Sequence, residues 1–282
     1  MEFKQVVGLR RSIRFWSPWQ PIEPEKLQAV LEAIHQSPRV LEVDFLRVAV
    51  LHRDQMSEED LQAMKTPTTT TQIELCPTYI FIYADLDALS EATDGKNLDE
   101  MLEAGALNRS HGWSSEFIRD TIVPQFYQEV LDDTDTVAMR FRTPDGMREG
   151  PAYSRQLLAL GRTQIGIAQG VGLLAGVDQG LGVQLSGVGA DVPKRIMGIP
   201  DSWITSSPML IGYAAEGVEA GGQRPREPLE QDFHDGRYGA PFESDPDVVK
   251  RLTEDGMFQR PAPVPWRRDE LRRLARMFGL PE

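Results

Sequence analysis

Apolar positions along this chain fall into two regimes, helical spacing and unbroken runs, which together predict alternating helices and strands. Leu27, Val30, Leu31 and Ile34 recur at helical spacing behind Pro24, a residue suited to a first turn, so an amphipathic helix is expected to end before Pro38. Residues 45–51 read as a strand, and Ser57-Glu58-Glu59-Asp60 reads as a capping box opening a short helix. Tyr79-Ile80-Phe81-Ile82-Tyr83 is apolar without alternation, as a strand covered on both faces requires, and Asp85 ends it. Residues 153–178 form the longest helical candidate, with Gly161, Gly166, Gly170, Gly172 and Gly176 pointing to close helix packing in a central, buried position. A short extended piece, a helix over 192–197, a strand over 209–213 and tail helices near 245–254 and 268–278 complete the pattern.

Between residues 86 and 150 the periodicity weakens to helical patches at 98–107 and 116–131, separated by acidic, threonine-rich linkers, so this part is read as an insertion or lid. Its Trp113, Phe117, Phe126 and Tyr127 are candidates for a cover over a substrate; packing of an ordinary amphipathic helix explains them equally. Composition is that of an ordinary globular chain: 282 residues with 40% hydrophobic and 26% charged content. The single cysteine, Cys76, precludes an internal disulfide and borders an apolar strand, which suits an inert core thiol in a reducing compartment. The opening residues carry no apolar h-region, and the weakly polar stretch 165–177 is too short to cross a bilayer, so a cytoplasmic protein without a membrane role is expected.

Several chemistries lack their sequence context. Gly170-Val171-Gly172-Leu173-Leu174-Ala175 has dinucleotide-loop spacing, but its glycines lie inside a helical pattern rather than between strand and helix. His35, His52, His111 and His234 have no metal-ligand spacing, and Asp132, Asp133 and Asp135 lack the glycine and glutamate of a calcium loop. Ser186 has no nucleophile-elbow context.

Charge alters the picture more. On a chain of net charge −13, Arg10, Arg11, Ser12 and Arg14 form a compact cationic box, too local for a nucleic-acid backbone and well sized for one small phosphate. A solvated cluster is the plain alternative, and Arg224-Pro225-Arg226, supplying two more guanidiniums from far along the chain, tips the balance toward an anion site.

The box Arg10-Arg11-Ser12-Ile13-Arg14-Phe15 resembles the opening motif of the flavin-dependent nitroreductase family, and further landmarks follow in that family's order. Pro77 with the strand 79–83 resembles its first central strand; Ala168-Gln169, Leu174-Ala175 and Gly180-Leu181-Gly182 its central helix and exit turn; Met197-Gly198-Ile199-Pro200 and Met209-Leu210-Ile211-Gly212-Tyr213 its closing helix and strand; and Arg224 and Arg226 its late phosphate pair. The resemblance covers most of residues 3–85 and 153–232.

It implies an α+β fold around a mixed, mainly antiparallel sheet wrapped by helices, and a domain-intertwined homodimer holding FMN at the subunit interface. Residues 1–240 would form the flavin unit and 241–282 a helical extension. Arg10, Arg11, Ser12 and Arg14, with Arg224 and Arg226, would grip the phosphate and ribityl chain, while Gln184, Leu185, Ser186 and Gly187 would approach the ring. The implied activity is hydride transfer from NAD(P)H through FMN to an electron-poor acceptor such as a nitroaromatic, quinone or activated alkene, with no catalytic side chain because the flavin carries the chemistry. The alternative is a repurposed protein of this fold that binds a flavin, a corrinoid or another phosphorylated cofactor without turnover. Its basis is the stretch 37–45, which stands where the family carries an A-P-S-x-x-N-x-Q-P-W type loop and lacks that loop's asparagine, glutamine and tryptophan, with only Glu42 and Asp44 as polar stand-ins for them; ionised carboxylates accept hydrogen bonds but donate none.

Overall fold

The computed structural model describes residues 1–92, 94–128, 132, 134–143, 146–189 and 191–281, without the side chains of residues 142 and 143. Its strands are β1 (Leu46–His52), β2 (Thr78–Asp85), β3 (Thr136–Thr143), β4 (Gly146–Ser154), β5 (Gly182–Leu185), β6 (Trp203–Thr205) and β7 (Met209–Gly212). The central sheet runs β1-β2-β7-β5, with β6 on the far end of β2, and all pairings between these strands are antiparallel. A parallel bridge from Ser12 to Val183 adds the N-terminal segment beside β5 and gives the sheet its mixed character.

Strand β2 shows why its sequence does not alternate. Ile80, Ile82 and Ala84 enter the core on one face, and Tyr79, Phe81 and Tyr83 enter a second core on the other. The first core is closed by α2 (Pro24–His35) and by α8 (Arg155–Asp178), counting helices α1 (Phe3–Leu9), α3 (Glu58–Met64), α4 (Thr70–Leu75), α5 (Leu86–Glu91), α6 (Lys96–Glu103) and α7 (Ser115–Phe117) in chain order. Glycine permits the close packing of α8 at three positions: a Cβ would lie 2.9 Å from Ile204 at Gly161, 2.9 Å from Ile34 at Gly172 and 2.5 Å from Val183 at Gly176. Gly166 and Gly170 face open space, so the packing reading fails for those two. By length and composition all 24 residues of α8 reach the size of a membrane span, contrary to the shorter stretch read from sequence, but the helix lies against α2 and the sheet.

The described residues of the segment 86–150 form more regular structure than the sequence suggests. Leu86, Leu89, Leu98, Ile118 and Tyr127 belong to the first core, and Trp113 packs against it; Phe117 and Phe126 remain exposed. The chain continues from α7 as a π-helix, Ile118–Gln128, while residues 129–131 of the expected 116–131 helix and Asp133 of the acidic turn lie outside the described residues. The supposed threonine-rich linker instead forms the β3–β4 hairpin. Arg148 on β4 ties that hairpin to α9 (Asp191–Met197) by binding Asp191 at 2.7 Å and Asp201 at 2.5 Å, over the face of Phe141. Helices α10 (Leu229–Asp232), α11 (Pro246–Glu254) and α12 (Arg267–Phe278) follow the sheet, and Phe278 of α12 stacks on Phe15 and Trp19 of the N-terminal segment.

Candidate functional site

Three segments distant in sequence meet at one end of the sheet. The Ile13 amide donates to the Val183 carbonyl at 3.1 Å, the Ser17 amide to Tyr213 at 2.8 Å and the Ala215 amide to Phe15 at 2.9 Å. Residues 12–17 are thereby laid between β5 and the chain leaving β7. Glu216, its side chain fully buried, accepts from the Arg14 amide at 2.5 Å and the Phe15 amide at 3.1 Å, and pairs with Arg267 at 2.7 Å.

This arrangement brings part of the cationic boxes together. Arg10 follows α1 as its C-cap residue, and its guanidinium is held below the usual arginine range by burial and by the nearby charge of Arg226. Neither residue forms an ion pair among the described residues. Like charges repel, and an anion held by both side chains would remove that cost.

Arg11 has a different place from the one the sequence suggests. It is buried, and its Nη1 donates to the carbonyls of Gly8 at 2.6 Å and Arg10 at 2.9 Å, so it caps α1 from within. Burial and then the Arg10 charge lower its pKa, partly offset by Glu219. The exposed Arg14 turns back onto the Ser12 carbonyl at 3.1 Å, and exposed Arg224 makes no hydrogen bond among the described residues. Ser12 contributes its backbone bridge to β5.

On β5 and just beyond it, Gln184 Oε1 and Ser186 Oγ are buried without hydrogen-bond partners among the described residues, as is Arg11 Nε. Orphaned buried polar atoms are rare, and two in closely spaced residues, Gln184 and Ser186, suit a polar ligand that completes them. Leu185 is exposed between them, and a Cβ at Gly187 would meet nothing within 4 Å, leaving the backbone there open to close approach. The Gly187 carbonyl is fixed from behind by Thr69 Oγ1 at 3.1 Å.

The loop 37–45 is held by residues that leave no local sequence signal. Leu41 and Glu42 both adopt left-handed backbone, at φ 55° and 54°. Gln164 of α8 brackets the loop, accepting from the Val40 amide at 2.8 Å and donating to the Pro38 carbonyl at 3.0 Å. Asn97 donates to the Leu41 and Glu42 carbonyls, and Tyr127 to the Leu41 carbonyl. Arg39 is engaged by the Ser37 and His35 carbonyls and by Asp44.

Cys76 is fully buried, and burial pushes its thiol up to about 12, which removes it as a nucleophile. Among the described residues, no group of His, Cys, Asp or Glu is arranged to hold a metal ion.

No protein-family model matches the sequence, and comparison with curated proteins finds no match. Solved structures do match in fold. A candidate nitroreductase from Exiguobacterium sibiricum in complex with FMN is 19% identical, with TM-score 0.58 over 84% of this chain and 98% of that one. A candidate NAD(P)H:FMN oxidoreductase from Staphylococcus epidermidis is 14% identical, with TM-score 0.57 over 83% and 95%. The gut-bacterial enone reductase CLA-ER is 18% identical, with TM-score 0.51 over 84% and 94%. The fold of this chain is thus the nitroreductase fold.

Proposed function

We propose that this protein is an FMN-dependent oxidoreductase that passes hydride from NADH or NADPH, by way of the flavin, to an electron-poor acceptor such as a nitroaromatic, a quinone or an activated alkene. The observation that carries this reading is the parallel bridge that lays Ser12 of the cationic box beside β5, where Gln184 Oε1 and, just past the strand, Ser186 Oγ are buried without hydrogen-bond partners among the described residues. Solved relatives of the fold include an FMN complex and an enone reductase.

The donor set fits FMN. Guanidinium forks at half-buried Arg10 and at exposed Arg226, Arg224 and Arg14 suit a dianionic phosphate. Arg11 adds buried positive charge while fixing the turn that presents Arg10. Ser12 supports the ribityl side through its place beside β5, and Gln184, Leu185, Ser186 and Gly187 would address the ring with an amide, an apolar side chain, a hydroxyl and open backbone. Bound FMN supplies the hydride chemistry; the protein binds, orients and shields it.

The working form is a homodimer with the flavin at the subunit interface. Support comes from Leu229, Phe233, Tyr238 and Phe242, large apolar side chains exposed along one stretch. In this reading residues 1–240 form the flavin unit and 241–282 an added helical extension.

Turnover tests the activity: the FMN-loaded protein is expected to oxidise NADH or NADPH with a quinone or nitroaromatic as acceptor, giving parallel double-reciprocal lines. The 37–45 loop favours a second reading, cofactor binding without turnover, since exposed Glu42 and Asp44 offer no donors when ionised and Arg39 is already engaged. FMN uptake with no oxidation of either nicotinamide would select that reading.

A further inference from the structure

We infer that the segment 255–278 is a staple that sets the spacing of the two arginine boxes, with Gln223 and the Glu216–Arg267 pair as its positioning residues. This rests on the phosphate-site reading of Arg10 and Arg226.

One side of the staple seats α1. A Cβ on Gly8 would fall 1.9 Å from the Gly256 carbonyl oxygen and 2.9 Å from that of Met257, so the last turn of α1 lies backbone against backbone on this segment. Lys4 pairs with Asp255 one turn earlier. Arg10 and Arg11 leave directly from that turn, and Arg11 clasps the Gly8 carbonyl.

The other side seats the late box. Gln223, immediately before Arg224, makes four hydrogen bonds to residues 257–262. Its amide donates to the Arg260 carbonyl at 2.8 Å and its carbonyl accepts from Ala262 at 2.8 Å. Its side chain donates to the Met257 carbonyl at 3.2 Å and accepts from the Gln259 amide at 2.6 Å. Gly222, at φ 112°, lets the backbones touch, since a Cβ there would lie 2.7 Å from the Ala262 Cα. Residues 256–262 therefore contact the root of each box.

Arg267 closes the far end. It bridges Glu216, which holds the Arg14 and Phe15 amides, and Glu270, which accepts from the Gly217 amide. Phe278 stacks on Phe15 at 6.2 Å and Trp19 at 6.0 Å. Two like charges close together need an external frame, and backbone pairing of this kind supplies one.

The test compares FMN with riboflavin, which lacks the phosphate, by fluorescence titration of the full-length protein. Gln223→Ala is expected to weaken FMN about tenfold, as two lost hydrogen bonds permit, while leaving riboflavin within about twofold. Glu216→Gln keeps the oxygen that accepts from Arg14 and Phe15 but loses the charge facing Arg267; the same selective loss is expected, so one misfolded variant does not decide the matter. If both variants retain the wild-type FMN-to-riboflavin ratio while Arg226→Ala loses it, the staple is wrong and the phosphate site stands. If Arg226→Ala also retains the ratio, or the wild type shows no preference for FMN, the phosphate site falls and the staple with it.

Discussion

Arg10 and Arg226 stand near opposite ends of the sheet-forming chain, yet the Arg10 guanidinium is held below the usual arginine range first by burial and then by repulsion from the Arg226 charge. Folding pays for this repulsion unless a ligand relieves it. Removing Arg226 should therefore cost the ligand and not the fold. Arg226→Ala is expected to weaken FMN by about tenfold to a hundredfold, with the apoprotein's unfolding free energy within about 0.5 kcal/mol of wild type. Flavin titration and chemical denaturation check the two halves. A variant that loses stability but keeps FMN would reverse the assignment.

The left-handed pair in the 37–45 loop gives a second expectation. Glu42 is exposed at φ 54°, a conformation a side chain pays for and glycine does not. Glu42→Gly should thus raise stability by up to about 1 kcal/mol, set against some loss of unfolded-state restriction. Asn97→Ala, which strips donors from the Leu41 and Glu42 carbonyls, should move the melting temperature the other way.

Lys194 supplies a pH dependence. It is buried beneath the hairpin, donates to the Pro200 and Asp201 carbonyls and lies 4.5 Å from the Phe141 ring centre. Burial, only partly offset by Asp201, brings its pKa down from 10.5 to about 8; Arg148 lowers it further and Asp191 raises it. Below pH 8 both folded and unfolded chains carry the proton, and the burial cost is present in full. Between about 8 and 10.5 the unfolded chain holds a proton that the folded chain has released, so rising pH stabilises the folded form. Relative to Lys194→Met, the wild type should gain on the order of 2 kcal/mol between pH 7 and 10. Paired denaturation curves at several pH values show whether the difference grows with that sign.

The sequence is legible where structure is local. Pro24 with its helical repeat marks α2, and the aromatic-aliphatic run of β2 declares burial on both faces because both faces are in fact covered. The β3–β4 hairpin is hidden by acidic neighbours and by exposed side chains on much of its length, since its anchoring through Arg148 to Asp191 and Asp201 is long-range. At the site, the arginine boxes stand out by charge alone. What the same residue type does there depends on partners: Arg11 turns inward to cap a helix, while Arg10 forms no ion pair among the described residues. Gln164, Asn97, Glu216 and Gln223 leave no trace in the sequence, because a single polar side chain with one distant backbone partner makes no pattern.

The central claim is that this chain binds FMN and lets a nicotinamide reduce it. Its most direct test is the visible absorption spectrum of the purified protein with added FMN, freed of excess by gel filtration and then titrated anaerobically with NADH and with NADPH. The expected result is retained flavin bands that bleach with one of the two nicotinamides. A colourless protein after filtration, or flavin bands that neither nicotinamide bleaches, would contradict it.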